Sequence, residues 1–260
     1  MPLPAYADRY PNIAFDRQDG ILVMRLHSEG GPLRFTIGAR GVHDQLGRAF
    51  QDIRDDPDNR VLILTGTGDS FCSDFDPTPD DPANAPTPAF FERMFREGRD
   101  LLRHLLAIEI PVIGAINGPA LIHAELPVLS DIVLMSEHAV LADASHFIHG
   151  VIPADGVQVV WPALLGENRG RYFLLTGQRI DARQALALGV VGEVLPADRL
   201  IDRAMELARD IAAKPERVTR WTRLVLIDHL KRRIENEMGY GFALELAASA
   251  ARRYDLAQGG

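Results

Sequence analysis

His123 and Glu125 follow one strand-like apolar run of this chain, and His146 and Asp155 follow the next. Imidazole titrates near neutral pH and a carboxylate can orient it, so such groups beside buried strands suit proton transfer without a cofactor. Each also has a plainer reading. His146, in Ser145-His146-Phe147-Ile148-His149, is by residue type a structural histidine, and Asp155 in Pro153-Ala154-Asp155-Gly156 is turn chemistry. Glu125 reads equally well as a charge at a helix N-terminus. Glu245 stands among Ala243, Leu244, Leu246 and Ala247, where a carboxylate needs either a site or an ion pair with Arg252 or Arg253. His146 and His149 are three residues apart, but no third ligand stands at diagnostic spacing, so no metal is expected.

A scaffold must bring these residues together. Residues 13–27 alternate apolar and polar on both sides of Asp19-Gly20, which predicts a hairpin. Val42, Leu46, Ala49, Phe50 and Ile53 recur at helical spacing, so a helix is expected over 40–53, closed by turn residues at 55–59. The apolar run 61–65 suits a strand covered on both faces. A second helix is expected over 89–107, with further strands over 111–116 and 131–135. Strands alternating with helices imply an α/β architecture with largely parallel pairing. From residue 181 onward the chain reads as nearly all helical, with Pro196 and Pro215 at helix starts. Residues 76–88 hold five prolines and three aspartates, which no regular element accommodates. They are expected as a loop, either a solvated connection or a mobile cover over a pocket.

Composition narrows the partners. A formal charge of −8, with Lys214 and Lys231 the only lysines, argues against nucleic acid, which needs a basic face to displace counterions. Small, weakly charged substrates fit better, and a Schiff base at either lysine is not favoured. The single cysteine, Cys72, excludes an internal disulfide and reads as a packed residue. Residues 1–11 contain no apolar signal segment and no later run approaches a membrane span. A soluble, cytoplasmic protein without a membrane partner is therefore expected.

NRVLILTGTGDSFCSDFD, residues 59–76, resembles the crotonase (enoyl-CoA hydratase/isomerase) family. The resemblance continues through IPVIGAINGPAL (110–121), SDIVLMSEHAVLAD (130–143), GVIPADG (150–156) and TGQRIDARQALALGVVGEV (176–194). It implies a crotonase-like spiral of ββα units over 1–195. It also implies a helical region, 196–260, that builds a homo-trimer or a hexamer of paired trimers and completes the active site.

The chain departs from the CoA-dependent members. Where they usually carry Gly-Gly-Gly-x-Glu, it reads Leu121-Ile122-His123-Ala124-Glu125, and Ser145-His146 stands where hydratases tend to carry Pro-Glu. In those members one backbone N–H of the glycine run, and one that falls near Phe75 here, hold the thioester oxygen. Asp74, Asp76, Asp80 and Asp81 lie where polyanionic CoA would approach.

NGPALIHAELPVLSDIVL and HFIHGVIPADGVQVVWPALLGENRGRYFLLTGQ are similar to the CoA-independent bicyclic β-diketone hydrolases typified by 6-oxocamphor hydrolase. That likeness implies retro-Claisen hydrolysis of a cyclic β-diketone with no cofactor. Its implied catalytic residues are His146, Asp155, His123 and Glu245, with Phe35, Phe75 and Ile122 against the substrate. His146, oriented by Asp155, would take a proton from water. His123 would donate a hydrogen bond to the carbonyl oxygen, an interaction typically worth about 3 kcal/mol of barrier. Phe35 falls where those relatives carry a tryptophan, and a phenyl ring cannot donate the same bond. Two other readings stand beside this one: a CoA-thioester hydratase or isomerase using Glu125, and a non-catalytic binding scaffold.

Overall fold

The structure, a computed structural model, describes residues 3–38, 40–76 and 87–257. The chain runs through β1 (Ile13–Gln18), β2 (Ile21–Leu26), β3 (Arg34–Phe35), α1 (Val42–Asp55), β4 (Val61–Gly66) and β5 (Asp74–Phe75). It continues through α2 (Pro88–Ala107), β6 (Val112–Ile116), α3 (Glu125–Val128), β7 (Ile132–Ser136), β8 (Val140–Leu141), α4 (Val157–Leu165) and α5 (Glu167–Thr176). The last elements are β9 (Ile180–Asp181), α6 (Ala182–Ala187), β10 (Glu193–Leu195), α7 (Leu200–Ala212) and α8 (Glu216–Ala257).

The main sheet has the order β1-β2-β4-β6-β7-β10, parallel throughout except for the β1–β2 hairpin. Asp19 and Gly20 close that hairpin at φ 52° and 79°, the positive pair that a two-residue I′ turn requires. Both faces of the sheet are covered, which explains the unbroken apolar run of β4. Leu62 and Leu64 join the larger core, whereas Val61 and Ile63 pack with Leu200, Ala204 and Ala208 of α7.

A second layer is made from short pieces. In the β3–β5 pair Phe35 stands opposite Phe75, Cys72 bridges to Ala120, Ala120 bridges to Leu141, and β8 pairs with β9. The chain thus repeatedly crosses the main sheet, touches this layer and leaves through a helix, which is the expected ββα spiral. Close approach of successive turns fixes Gly118, where a Cβ would lie 1.8 Å from the Asp69 carbonyl oxygen.

Two expectations change. β10 interrupts the helical stretch after residue 181, and β9 ends where that stretch begins. The three residues of β10 are all half-buried, too few and too uniform to show a strand period. Of the expected loop at 76–88, residues 77–86 lie outside the described residues, while Pro88 already opens α2 behind the cap Thr87, whose Oγ1 accepts the Phe90 N–H at 3.2 Å.

The long helix α8 is tied to this frame by a buried charge. Arg223, 2% exposed, donates through Nε to Asp131 Oδ2 at 2.7 Å and through Nη1 to the Ile108 carbonyl. Asp131 Oδ2 also accepts the Val112 N–H at 2.7 Å, so one carboxylate joins the start of β6 to α8.

Candidate active site

Residues 117–124 leave β6 under the control of Asn117. Its Nδ2 donates to the Gly68 and Ser70 carbonyls at 3.0 and 2.9 Å, and its Oδ1 accepts the Gly66 N–H at 3.0 Å. This segment delivers His123 at φ +49°, a left-handed conformation uncommon for a residue with a side chain. His123 Nδ1 donates to Glu125 Oε1 at 2.5 Å, and Glu125 is 2% exposed at the first turn of α3. The Phe35 ring stacks on His123 with centroids 4.4 Å apart.

The turn after β8 supplies His146. Its Nδ1 is 2.6 Å from Asp143 Oδ1, and its Nε2 is 3.3 Å from Asp155 Oδ2. Asp155 Oδ2 is in turn 3.9 Å from His123 Nδ1. Asp143, His146, Asp155, His123 and Glu125 thus form one buried row of alternating carboxylates and imidazoles. α8 brings Glu245 to it, with Oε2 buried and lacking a hydrogen-bond partner among the described residues.

Burial and charge oppose each other along this row. Burial alone would keep His146 neutral, but Asp155 and Asp143 outweigh it and hold the ring well above the ordinary imidazole range. Burial likewise opposes charge on His123, and Glu125 overcomes it to raise that ring. For Asp155, the raising effect of burial is overcome chiefly by His146, which holds the carboxyl far below its usual range. Glu245 goes the other way: burial, followed by repulsion from Asp155, pushes its carboxyl up to about 8. The row thus favours a charged His146 against the Asp155 carboxylate, and Glu245 faces it with a carboxyl that holds its proton well above the ordinary carboxylate range.

The structure therefore brings His123, His146, Asp155 and Glu245 together, with one correction. Asp155 does lie against one nitrogen of His146, but the other is not open to water, because Asp143 occupies it. Sequence reasoning does not single out Asp143. Its signal is a carboxylate at a strand end three residues before a histidine, and the family likeness assigns that histidine's partner to Asp155. His43, given no role by sequence reasoning, is buried with its ring 5.5 Å from that of His123 and its Nδ1 3.5 Å from Glu97 Oε2.

Phe75 is half-exposed and packs edge-on to Phe35 at 6.1 Å. Ile122 is buried in the main core. The N–H groups of Leu121 and Ile122 donate to the Cys72 carbonyl at 2.8 and 3.2 Å, so in this arrangement they do not face a substrate oxygen. Cys72 is buried, and burial pushes its thiol up to about 12, consistent with packing rather than nucleophilic use. His123, Glu125 and Asp155 place three ligand-type atoms within 4.8 Å of one another. Two ligands of one tetrahedral zinc ion would stand roughly 3.3 Å apart; the 2.5 Å between His123 and Glu125 is instead hydrogen-bond geometry.

A family model for enoyl-CoA hydratase/isomerase matches residues 17–248, and the chain belongs to this family, the crotonases. Among curated relatives, carnitinyl-CoA dehydratase of Proteus mirabilis is 34% identical over 183 residues, covering 70% of this chain and 68% of its own. Among solved structures, a β-diketone hydrolase from the cyanobacterium Anabaena, bound to (S)-3-oxocyclohexyl acetic acid, superposes with a TM-score of 0.91 at 42% identity. That match covers 97% of this chain and all of the other. An enoyl-CoA hydratase/isomerase from Mycobacterium paratuberculosis gives 0.80 at 28% identity, covering 92% and 93%.

Proposed function

We propose that this protein is a β-diketone hydrolase that cleaves a carbon–carbon bond of a cyclic 1,3-diketone by retro-Claisen hydrolysis. The row Asp143-His146-Asp155-His123-Glu125 facing Glu245 carries this reading, and the 42% identity to the Anabaena hydrolase supports it. The acid bound in that structure is a cyclohexanone bearing an acetic acid arm. Adding water across one carbon–carbon bond of a bridged bicyclic 1,3-diketone gives such a product.

His123, with Nδ1 tied to Glu125, presents Nε2–H to one carbonyl oxygen. The carboxylate form of Glu245 takes a proton from water as the water oxygen bonds to the carbonyl carbon. The resulting alkoxide is stabilised by His123 and collapses, breaking the bond to the α-carbon. The electron pair leaves as an enolate delocalised onto the second carbonyl, and Glu245 returns its proton to the α-carbon. One water is consumed, and the side chains end as they began. His146 and Asp155 hold the water beside Glu245, Asp155 accepting its second hydrogen and His146 offsetting the negative charge. The base role thus moves from His146 to Glu245, because an imidazole donating from both nitrogens has no lone pair to offer.

The names of the sequence relatives favour a second reading, hydration or isomerisation of a CoA thioester with Glu125 as acid. The engagement of Glu125 by His123 and of the Ile122 N–H by Cys72 weighs against it. Purified protein supplied separately with a bicyclic 1,3-diketone and an enoyl-CoA, with no cofactor added, distinguishes the two. Loss of the diketone is expected, and it should fall sharply in His146→Ala. Turnover of the thioester alone would overturn the proposal.

A further inference from the structure

His146 is the one imidazole of the row with a carboxylate against each nitrogen, Asp143 at 2.6 Å from Nδ1 and Asp155 at 3.3 Å from Nε2. A neutral imidazole has one N–H and satisfies only one such partner. Asp143 is itself buried, and it is anchored at the end of β8 by the Ser145 N–H, 3.4 Å from the same Oδ1 that meets His146. Its Oδ2 is buried without a hydrogen-bond partner among the described residues, so His146 is the principal group it serves there. The His146 ring is buried too, and its carbonyl accepts the N–H groups of His149 and Val151 at 2.8 and 3.2 Å, which fixes the backbone from which the ring hangs.

We propose that Asp143 is the positioning residue of this site: by binding Nδ1 it aims Nε2 of His146 at Asp155 and keeps the ring a double donor. Asp143 touches no reacting atom, and its influence on turnover, which rests on the hydrolase reading above, passes through His146. The ring is faced from four elements of the fold: by Asp143 at the end of β8, Asp155 ahead of α4, His123 and Glu125 at α3, and Glu245 from α8. Of these, only Asp143 and Asp155 touch it. Removing the charge of Asp143 while keeping its shape therefore isolates one of two anions that hold the proton.

Asp143→Asn tests this, read by NMR titration of the His146 ring nitrogens in protein without substrate. In the wild type both nitrogens should remain protonated through neutral pH. In the variant the ring should release a proton, the one on Nδ1, at least about one pH unit lower, as loss of the opposite charge beside that nitrogen dictates, while Nε2–H stays on Asp155. With diketone, kcat/KM should fall on the order of tenfold, with the pH profile displaced, and at pH values below that at which wild-type His146 loses its proton the thermal midpoint should fall. A merely structural role would move the midpoint and leave the titration alone. An unchanged titration in folded Asp143→Asn, or a neutral His146 at pH 7 in the wild type, would overturn the proposal. Because the titration needs no substrate, it judges Asp143 whether or not a diketone is turned over.

Discussion

His123 combines a left-handed backbone, a buried carboxylate on Nδ1 and a phenyl ring against its face, so its remaining nitrogen is held in one direction. Such preorganised donors contribute most where charge develops in the transition state. His123→Ala is expected to lower kcat on the diketone roughly 100- to 1,000-fold, whereas a residue serving only binding would raise KM with kcat unchanged. Glu245 gives a sharper signature. With its carboxyl at about 8, the base form grows as pH rises through that value, so kcat/KM should climb towards pH 8 and level above it. Glu245→Gln should abolish the rising limb together with most of the activity, and a limb that persists in the variant would assign it to another group. His123, His146, Asp155 and Glu245 are all legible in the sequence as candidates, but their division of roles is not. The second carboxylate on His146 depends on how the turn after β8 folds back, and the three-residue spacing from Asp143 to His146 permits that contact without specifying it.

At the scale of elements, the strands of the main sheet other than β10, and helices α1 and α2, are legible because each carries a periodic apolar pattern, an apolar run or a clear turn signal. The pieces of the second layer are not. β3, β5, β8 and β9 are two residues each, held by pairing across turns of the spiral rather than by any pattern of their own. The tie between α8 and the sheet is equally invisible to local sequence, since Asp131 and Arg223 are 92 residues apart. Arg223→Ala would leave the Asp131 carboxylate short of its cation, and breaking a largely buried pair costs about 3–5 kcal/mol. Denaturant unfolding should show a loss of that order. A change under about 1 kcal/mol would place this pair among surface ion pairs.

Across the whole molecule, the perturbed groups make stability depend on pH. Glu245 ordinarily titrates at 4.5 and here at about 8, so the folded chain holds this proton longer than the unfolded one. Stability should therefore decline as pH rises from 4.5 to about 8. His146, raised above 6.5, adds to the decline, because stability present below 6.5 is lost as pH rises through its folded value. Thermal midpoints across this range should fall, and Glu245→Gln should flatten the slope. Assembly bears on the same helix. Val218, Trp221, Val225 and Leu226 of α8 are each more than half exposed in the single chain, a pattern suited to the homo-trimer that the family likeness implies. Sedimentation should show trimers or hexamers, with Trp221→Asp shifting the population towards monomer.

Hydrolysis of a bicyclic 1,3-diketone in oxygen-18 water tests the central claim most directly. Retro-Claisen cleavage predicts a keto acid with one heavy oxygen in its carboxyl group beyond any ketone exchange, together with a solvent-derived hydrogen on the former α-carbon. Recovery of intact diketone, from protein that hydrates an enoyl-CoA thioester under the same conditions, would contradict it.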